Sequence, residues 1–174
     1  KKSAEAYQAI WTSEGSPLLI ETKKFCSGLQ KELGNNFHVV PAMRYGKPSL
    51  EKALDSVKNF PRVILFPMFP QYASSSTGSC LELCFNFFAK QNNVPAVKVV
   101  EPYYQKPGFI ASLLASCKES VNLLEWDHLL LSYHGLPQRQ IQKSEVAGAK
   151  ICDQGKPCSV GTENRFCYRA QCYQ

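Results

Sequence analysis

Three short apolar runs constrain this chain most: Arg62–Phe66, Ala96–Val100 and Leu129–Tyr133. Each is too short for an ordinary helix and lacks a helical period, so each predicts a strand. Such runs suit parallel strands covered on both faces. The segments between them read as helices. Leu81, Cys84, Phe85 and Phe88 recur at helical spacing on one face. Pro107 suits the first turn of a helix running to about Leu124, because that turn makes no use of the N–H that proline lacks. Upstream, Thr22–Leu33 reads as a helix stopped by Gly34 and Asn35. Phe37–Pro41 reads as a short strand, and Ser49–Lys58 as a helix capped by Ser49. The order β-α-β-α-β-α-β predicts an α/β fold with parallel sheets and right-handed crossovers.

With 174 residues, 44% of them hydrophobic, the chain can bury a normal core and make one domain or one and a half. Both ends read as cuts in a longer protein: the first residue is Lys, and Cys167–Gln174 looks like a helix stopped partway. No apolar run reaches the ~20 residues of a membrane span, and no signal-peptide pattern is visible. A net charge of +6 fits an anionic substrate, and equally an ordinary solvated surface. No Lys/Arg run is long enough to suggest nucleic acid. No Gly-x-Gly-x-x-Gly follows a strand, which disfavours hydride transfer. The chain has 8 cysteines, many for its size. Strand patterns this well formed need no disulfide staples, so the expectation is a cytoplasmic protein with reduced thiols. Cys26, Cys80, Cys84 and Cys117 sit in helical patterns and read as small buried thiols.

The third apolar run ends on His134 and is stopped by Gly135 and Pro137. Open α/β sheets place their ligands at the carboxyl ends of strands. A neutral imidazole there can bind a metal or take a proton near pH 7, unless loop backbone satisfies it. Arg44 and Tyr45 follow a predicted strand at the same sheet end. An arginine there can hold a carboxylate, and a tyrosine can stack on a flat ring; a plain surface charge is the alternative for Arg44. Tyr72 and the hydroxyls Ser74, Ser75, Ser76 and Thr77 sit between a strand and a helix, where free N–H groups and hydroxyls make an anion site. The alternative is that Ser75, Ser76 and Thr77 merely compete to cap the helix. His38 and His128 have no such setting and read as structural.

Cys152, Cys158, Cys167 and Cys172 fall within one short segment, in a loop expected over residues 144–172. Four thiolates can hold an iron–sulfur cluster. They can also hold zinc, although the close Cys pairs usual in zinc sites are absent; free or oxidised thiols are the third reading. Asn164 is a good N-cap, which would put Cys167 at the third helical position. Cys172 would then lie about 140° round the helix. Either the Cys152–Cys158 loop wraps over that helix, or the helix starts late.

Ser-Tyr-His-Gly-Leu-Pro at 132–137, Pro-Gln-Tyr at 70–72 with Ser-Ser-Ser-Thr-Gly-Ser at 74–79, and Ala-Met-Arg-Tyr-Gly-Lys-Pro at 42–48 closely resemble the ferrochelatase family, as do Tyr7, Ile10, Trp11 and Gly15–Leu18. The resemblance covers essentially the whole chain. It implies insertion of ferrous iron, Fe2+, into a porphyrin, either protoporphyrin IX or coproporphyrin III, in haem biosynthesis. It implies two similar Rossmann-like domains with parallel four-stranded sheets, both incomplete here: residues 1–98 without a first strand, and the start of a second domain from 99. It implies that His134 serves as metal ligand or proton acceptor, and that Arg44, Tyr45, Tyr72 and Ser74–Thr77 line the porphyrin cleft. Some bacterial ferrochelatases are similar also in a Cys-rich segment ending Cys-Tyr-Arg-Ala-Gln-Cys, which is associated with a [2Fe–2S] cluster. The acidic residue that the family sets opposite the histidine has no counterpart in this stretch, so the chain alone is expected to be inactive. The rivals are a cobalt or nickel chelatase of the same fold and an iron–sulfur electron-transfer module. Oligomeric state and peripheral membrane contact stay open.

Overall fold

The computed structural model describes residues 2–120, 127–128, 130–145 and 158–174. In chain order the elements are α1 (Lys2–Ile10), α2 (Pro17–Leu33), α3 (Leu50–Val57), β1 (Arg62–Leu65), α4 (Ser79–Ala89), β2 (Ala96–Val99), α5 (Pro107–Ser120), α6 (Gln138–Lys143) and α7 (Tyr168–Cys172). The chain divides into two compact units, Lys1–Asn59 and Phe60–Gln174.

In the first unit, α2 starts at Pro17, five residues before the expected Thr22, because Ser16 and Pro17 already form a helix start. Ser49 caps α3 as expected: its hydroxyl accepts from the Lys52 N–H at 3.3 Å. Leu54 of α3 is buried. The strand expected at Phe37–Pro41 is not one. The segment is extended, but its hydrogen bonds go to a side chain. The Gln30 amide donates to the Phe37 carbonyl at 3.0 Å, and its Oε1 accepts from the Val39 N–H at 2.9 Å. A glutamine on α2 thus stands in for a neighbouring strand.

In the second unit, β1 and β2 pair in parallel, with Val63 opposite Val97 and Leu65 opposite Val99. A parallel pair needs a crossover between its strands, and α4 lies in it. The fold is therefore α/β, an incomplete Rossmann-like unit of two parallel strands with flanking helices. Burial on both faces of β1 is not met: Val63 is buried, while Ile64 is 52% exposed. Among the described residues, only one face of this sheet is well covered.

The buried face of α4 continues from Thr77 through Cys84 to Phe88. Phe85, expected on that face, is half-exposed at its edge. Burial pushes the Cys84 thiol up to about 11, so it is a neutral packing group. Cys117, expected to be buried, is exposed, and Cys26 and Cys80 are half-buried. Phe88 is 2% exposed and packs edge-on against Phe87, ring centroids 5.6 Å apart. Phe88→Ala should cost about 3–5 kcal/mol, read as a fall in the urea midpoint of the full-length protein.

The strand expected at Leu129–Tyr133 is not formed over residues 130–133; Leu129 lies outside the described residues. Leu130 is 89% exposed and Leu131 67% exposed. A strand needs a partner for its N–H and C=O groups, and among the described residues no strand lies beside this run. The end of the helix expected to reach Leu124 also lies outside the described residues.

Candidate active site

Arg44 and Tyr45 belong to the first unit. They sit in a tight loop closed by Met43 and Ser49, where the Met43 N–H donates to the Pro48 carbonyl at 2.8 Å and the Leu50 N–H donates to the Met43 carbonyl at 3.0 Å. Gly46 turns the loop at φ 89°, a conformation that favours glycine. The Arg44 guanidinium lies 4.8 Å from the centroid of the Tyr45 ring. That ring is 77% exposed. The pair follows an extended segment rather than the expected strand end. It presents a cation backed by an aromatic face, a surface suited to a flat anionic ligand.

The remaining described candidates lie in the second unit. Ser74–Gly78 forms a single π-turn leading into α4, closed by the Gly78 N–H donating to the Ala73 carbonyl at 3.1 Å. Such turns recur at functional sites. Capping does not explain the hydroxyls, since neither this turn nor α4 has a side-chain cap. Ser74 and Ser75 are exposed. Ser76 Oγ donates to the Ala73 carbonyl at 3.3 Å. Thr77 is buried and its Oγ1 has no hydrogen-bond partner among the described residues. Tyr72 packs over the turn so closely that a Cβ on Gly78 would sit 3.1 Å from the Tyr72 Oη.

The sequence reading missed what holds Tyr72. Its N–H donates to Gln171 Oε1 at 2.7 Å, across 99 residues of chain. Its ring lies 4.9 Å from that of Phe166, tilted by 52°. Gln171 is 1% exposed, and its Nε2 donates to the Arg165 carbonyl at 3.2 Å. One signal was available: Cys167, Ala170 and Gln171 share a helical face by spacing, and an amide on a buried face requires partners.

α7 also packs against the loop that carries His134. Ile141, Cys167 and Ala170 form a small core with Leu136, Cys158, Val160 and Tyr168 against it. His134 is exposed, two residues before Leu136. Burial pushes the Tyr168 phenol up and Cys172 raises it further, while a hydrogen bond to the His134 backbone pulls it down. One five-residue helix thus touches both the His134 loop and Tyr72.

The predicted position of Asn164 needs correction. It is no cap of α7; its Oδ1 accepts from the Gly161 N–H at 2.6 Å, and its Nδ2 donates to the Ser159 carbonyl at 2.9 Å. Both bonds tie down the turn before the helix. Cys167 is the N-cap residue and α7 starts at Tyr168, so the late start is the alternative realised. Cys158 and Cys167 meet in the core just described. The Cys172 thiol is raised by burial and by the neighbouring Cys167, against a hydrogen bond from Tyr168. Cys152 lies outside the described residues. Among the described residues no three metal-ligating side chains stand close enough to hold an ion. Cys158 and Cys167 share the core that seats the His134 loop, Cys172 lies five residues further along α7, and thiol chemistry is of the kind that iron–sulfur ligation uses.

One cysteine-bearing helix thus holds both the histidine loop and the hydroxyl-rich turn of this parallel α/β chain. The comparisons give its family. The ferrochelatase family model matches residues 1–174. Relatives include the ferrochelatases of Legionella pneumophila strain Paris, 39% identical over 99% of this chain and 51% of that protein, and of Coxiella burnetii strain Dugway, 38% identical over 100% of this chain and 49% of that protein. The chain belongs to the ferrochelatase family. It spans about half the length of the curated relatives it matches. No solved structure matches it.

Proposed function

We propose that the full-length protein inserts ferrous iron into a porphyrin, protoporphyrin IX or coproporphyrin III, as a step of haem biosynthesis. What carries the reading is the family match over the whole chain together with α7, which joins the His134 loop to the Tyr72–Thr77 segment. The division into two domains near residue 98 belongs to the same proposal.

Insertion exchanges two pyrrole N–H protons for Fe2+, with no change of oxidation state. The metal must shed water and approach one face of the ring. His134 is exposed, and its imidazole is the group proposed to accept a pyrrole proton or to hand over the metal. The Tyr72 phenol and the hydroxyls of Ser74, Ser75, Ser76 and Thr77 border the ring, with Ser74 and Ser75 the exposed ones. Arg44 binds a propionate and Tyr45 lies along the ring.

Cys152, Cys158, Cys167 and Cys172 are proposed to hold a [2Fe–2S] cluster, which would supply order to the cysteine segment rather than chemistry to the reaction. Cys158, Cys167 and Cys172 are free thiols, and a cytoplasmic location belongs to the same proposal. No described helix is long and apolar enough to cross a membrane.

Full-length protein given ferrous iron and porphyrin without oxygen should produce the haem absorption spectrum; no haem with either porphyrin would end the proposal. Arg44→Ala should weaken porphyrin binding while leaving the fold intact. A partly buried charged contact contributes about 1–3 kcal/mol, roughly a five- to hundred-fold change in affinity. Fluorescence titration measures it. Unchanged affinity with a lower Tm would make Arg44 structural.

A further inference from the structure

We propose that Gln171 is a positioning residue for substrate, setting the Tyr72–Thr77 segment through its hydrogen bond to the Tyr72 backbone. The proposal rests on the chelatase reading for what that segment binds, but the clamp itself stands on geometry.

Its support is geometric. Tyr72 lies in the loop after β1 and pairs with no strand among the described residues, so sheet hydrogen bonds do not fix it. Its N–H donates instead to Gln171 Oε1 at 2.7 Å. The other end of that amide is anchored by donation to the Arg165 carbonyl at 3.2 Å. Gln171 is 1% exposed, so water cannot replace either bond cheaply. Phe166 packs against the Tyr72 ring at 4.9 Å, and a Cβ on Gly78 would crowd the Tyr72 Oη at 3.1 Å. Tyr72 is thus held at its backbone and against its ring. A glutamine suits this task because one planar amide both accepts and donates. Leucine has similar bulk and does neither.

The placement has a functional consequence. Gln171 lies beside Cys172 on α7, and that helix also packs on the His134 loop. The residue that sets Tyr72 is therefore tied to the residues that set His134. Loss of the clamp should disturb how porphyrin sits more than what His134 does once it is seated.

The test compares Gln171→Leu and Gln171→Glu in the full-length protein. For Gln171→Leu, KM for porphyrin should rise about tenfold, with kcat within threefold and KM for iron unchanged. Hydrogen–deuterium exchange over residues 72–78 should speed up while that over α5 does not. Gln171→Glu keeps a side-chain oxygen of the same reach to accept from the Tyr72 N–H. It should restore KM and slow exchange, and it decides the matter if the leucine variant fails to fold. Equal loss of kcat and KM in both variants, or unchanged exchange over 72–78 in a folded Gln171→Leu, would overturn the clamp. A wild-type protein that makes no haem would remove the chelatase reading, and exchange over 72–78 would still decide whether Gln171 holds Tyr72.

Discussion

His134→Ala in the full-length protein should lower the rate of metal insertion by two orders of magnitude or more, while porphyrin affinity stays within a few-fold. Removing a positioned proton acceptor typically costs about 10²–10⁴ in rate. The side chain is exposed and its loop is held by Leu136 and Ile141 packing on α7, so truncation at position 134 should not unsettle the fold. Insertion kinetics with ferrous iron or zinc measure the rate, and fluorescence quenching measures the affinity. Near-normal turnover would sink both roles assigned to the histidine, ligand and proton acceptor alike. A tenfold loss of porphyrin affinity with unchanged kcat would recast it as a binding residue.

The second large effect is expected at the cysteines. Full-length protein purified without oxygen should be brown, with visible absorption typical of [2Fe–2S]. Serine at any one of Cys152, Cys158, Cys167 or Cys172 should abolish the colour, because a cluster lacking one thiolate is rarely retained. Metal bonds formed only in the folded state contribute to folding free energy. A melting temperature lower by roughly 5–10 °C is therefore expected, the shift that about 2–4 kcal/mol produces. Intrinsic kcat should change less, since the cluster is assigned order rather than chemistry and Cys158 and Cys167 pack with Leu136 and Tyr168 rather than standing exposed like His134. Cys167 is buried in a small apolar core, so its serine variant also loses packing; Cys172, half-buried, is the cleaner probe of metal binding. Zinc without iron or sulfide on analysis, or Cys pairs found as disulfides, would overturn the cluster and leave the chelatase reading untouched.

Much of the fold is legible because its determinants are local. Ser49 and Pro107 mark helix starts through capping chemistry and a fixed φ, which need no partner far away. The α4 face from Leu81 to Phe88 follows from helical period alone. Val63 and Val97 sit in runs that resist helix and accept a parallel neighbour. The failures share one cause. Phe37–Pro41 and Leu129–Tyr133 have strand-like composition, yet a ladder is a property of two segments. Gln30 took the hydrogen bonds of the first, and residues 130–133 of the second have no strand beside them among the described residues. Asn164 misled for a related reason: its side chain is as fit to brace a turn as to cap a helix, and local sequence does not rank the two.

The same division runs through the site. Residue types set the chemistry: an imidazole at the end of an apolar run, a hydroxyl run ahead of a helix, four thiols in one segment. Those properties belong to side chains and survive any arrangement, so the amino-acid order alone determined them, along with the alternation that makes the fold α/β. What tertiary structure decided is who holds whom. That Gln171 reaches Tyr72 across 99 residues, that Phe166 covers its ring, and that Leu136 and Ile141 seat the His134 loop on α7 are contacts between distant segments. They are chosen by which buried surfaces fit together and which buried polar groups find partners, and no window of sequence contains both sides of that choice.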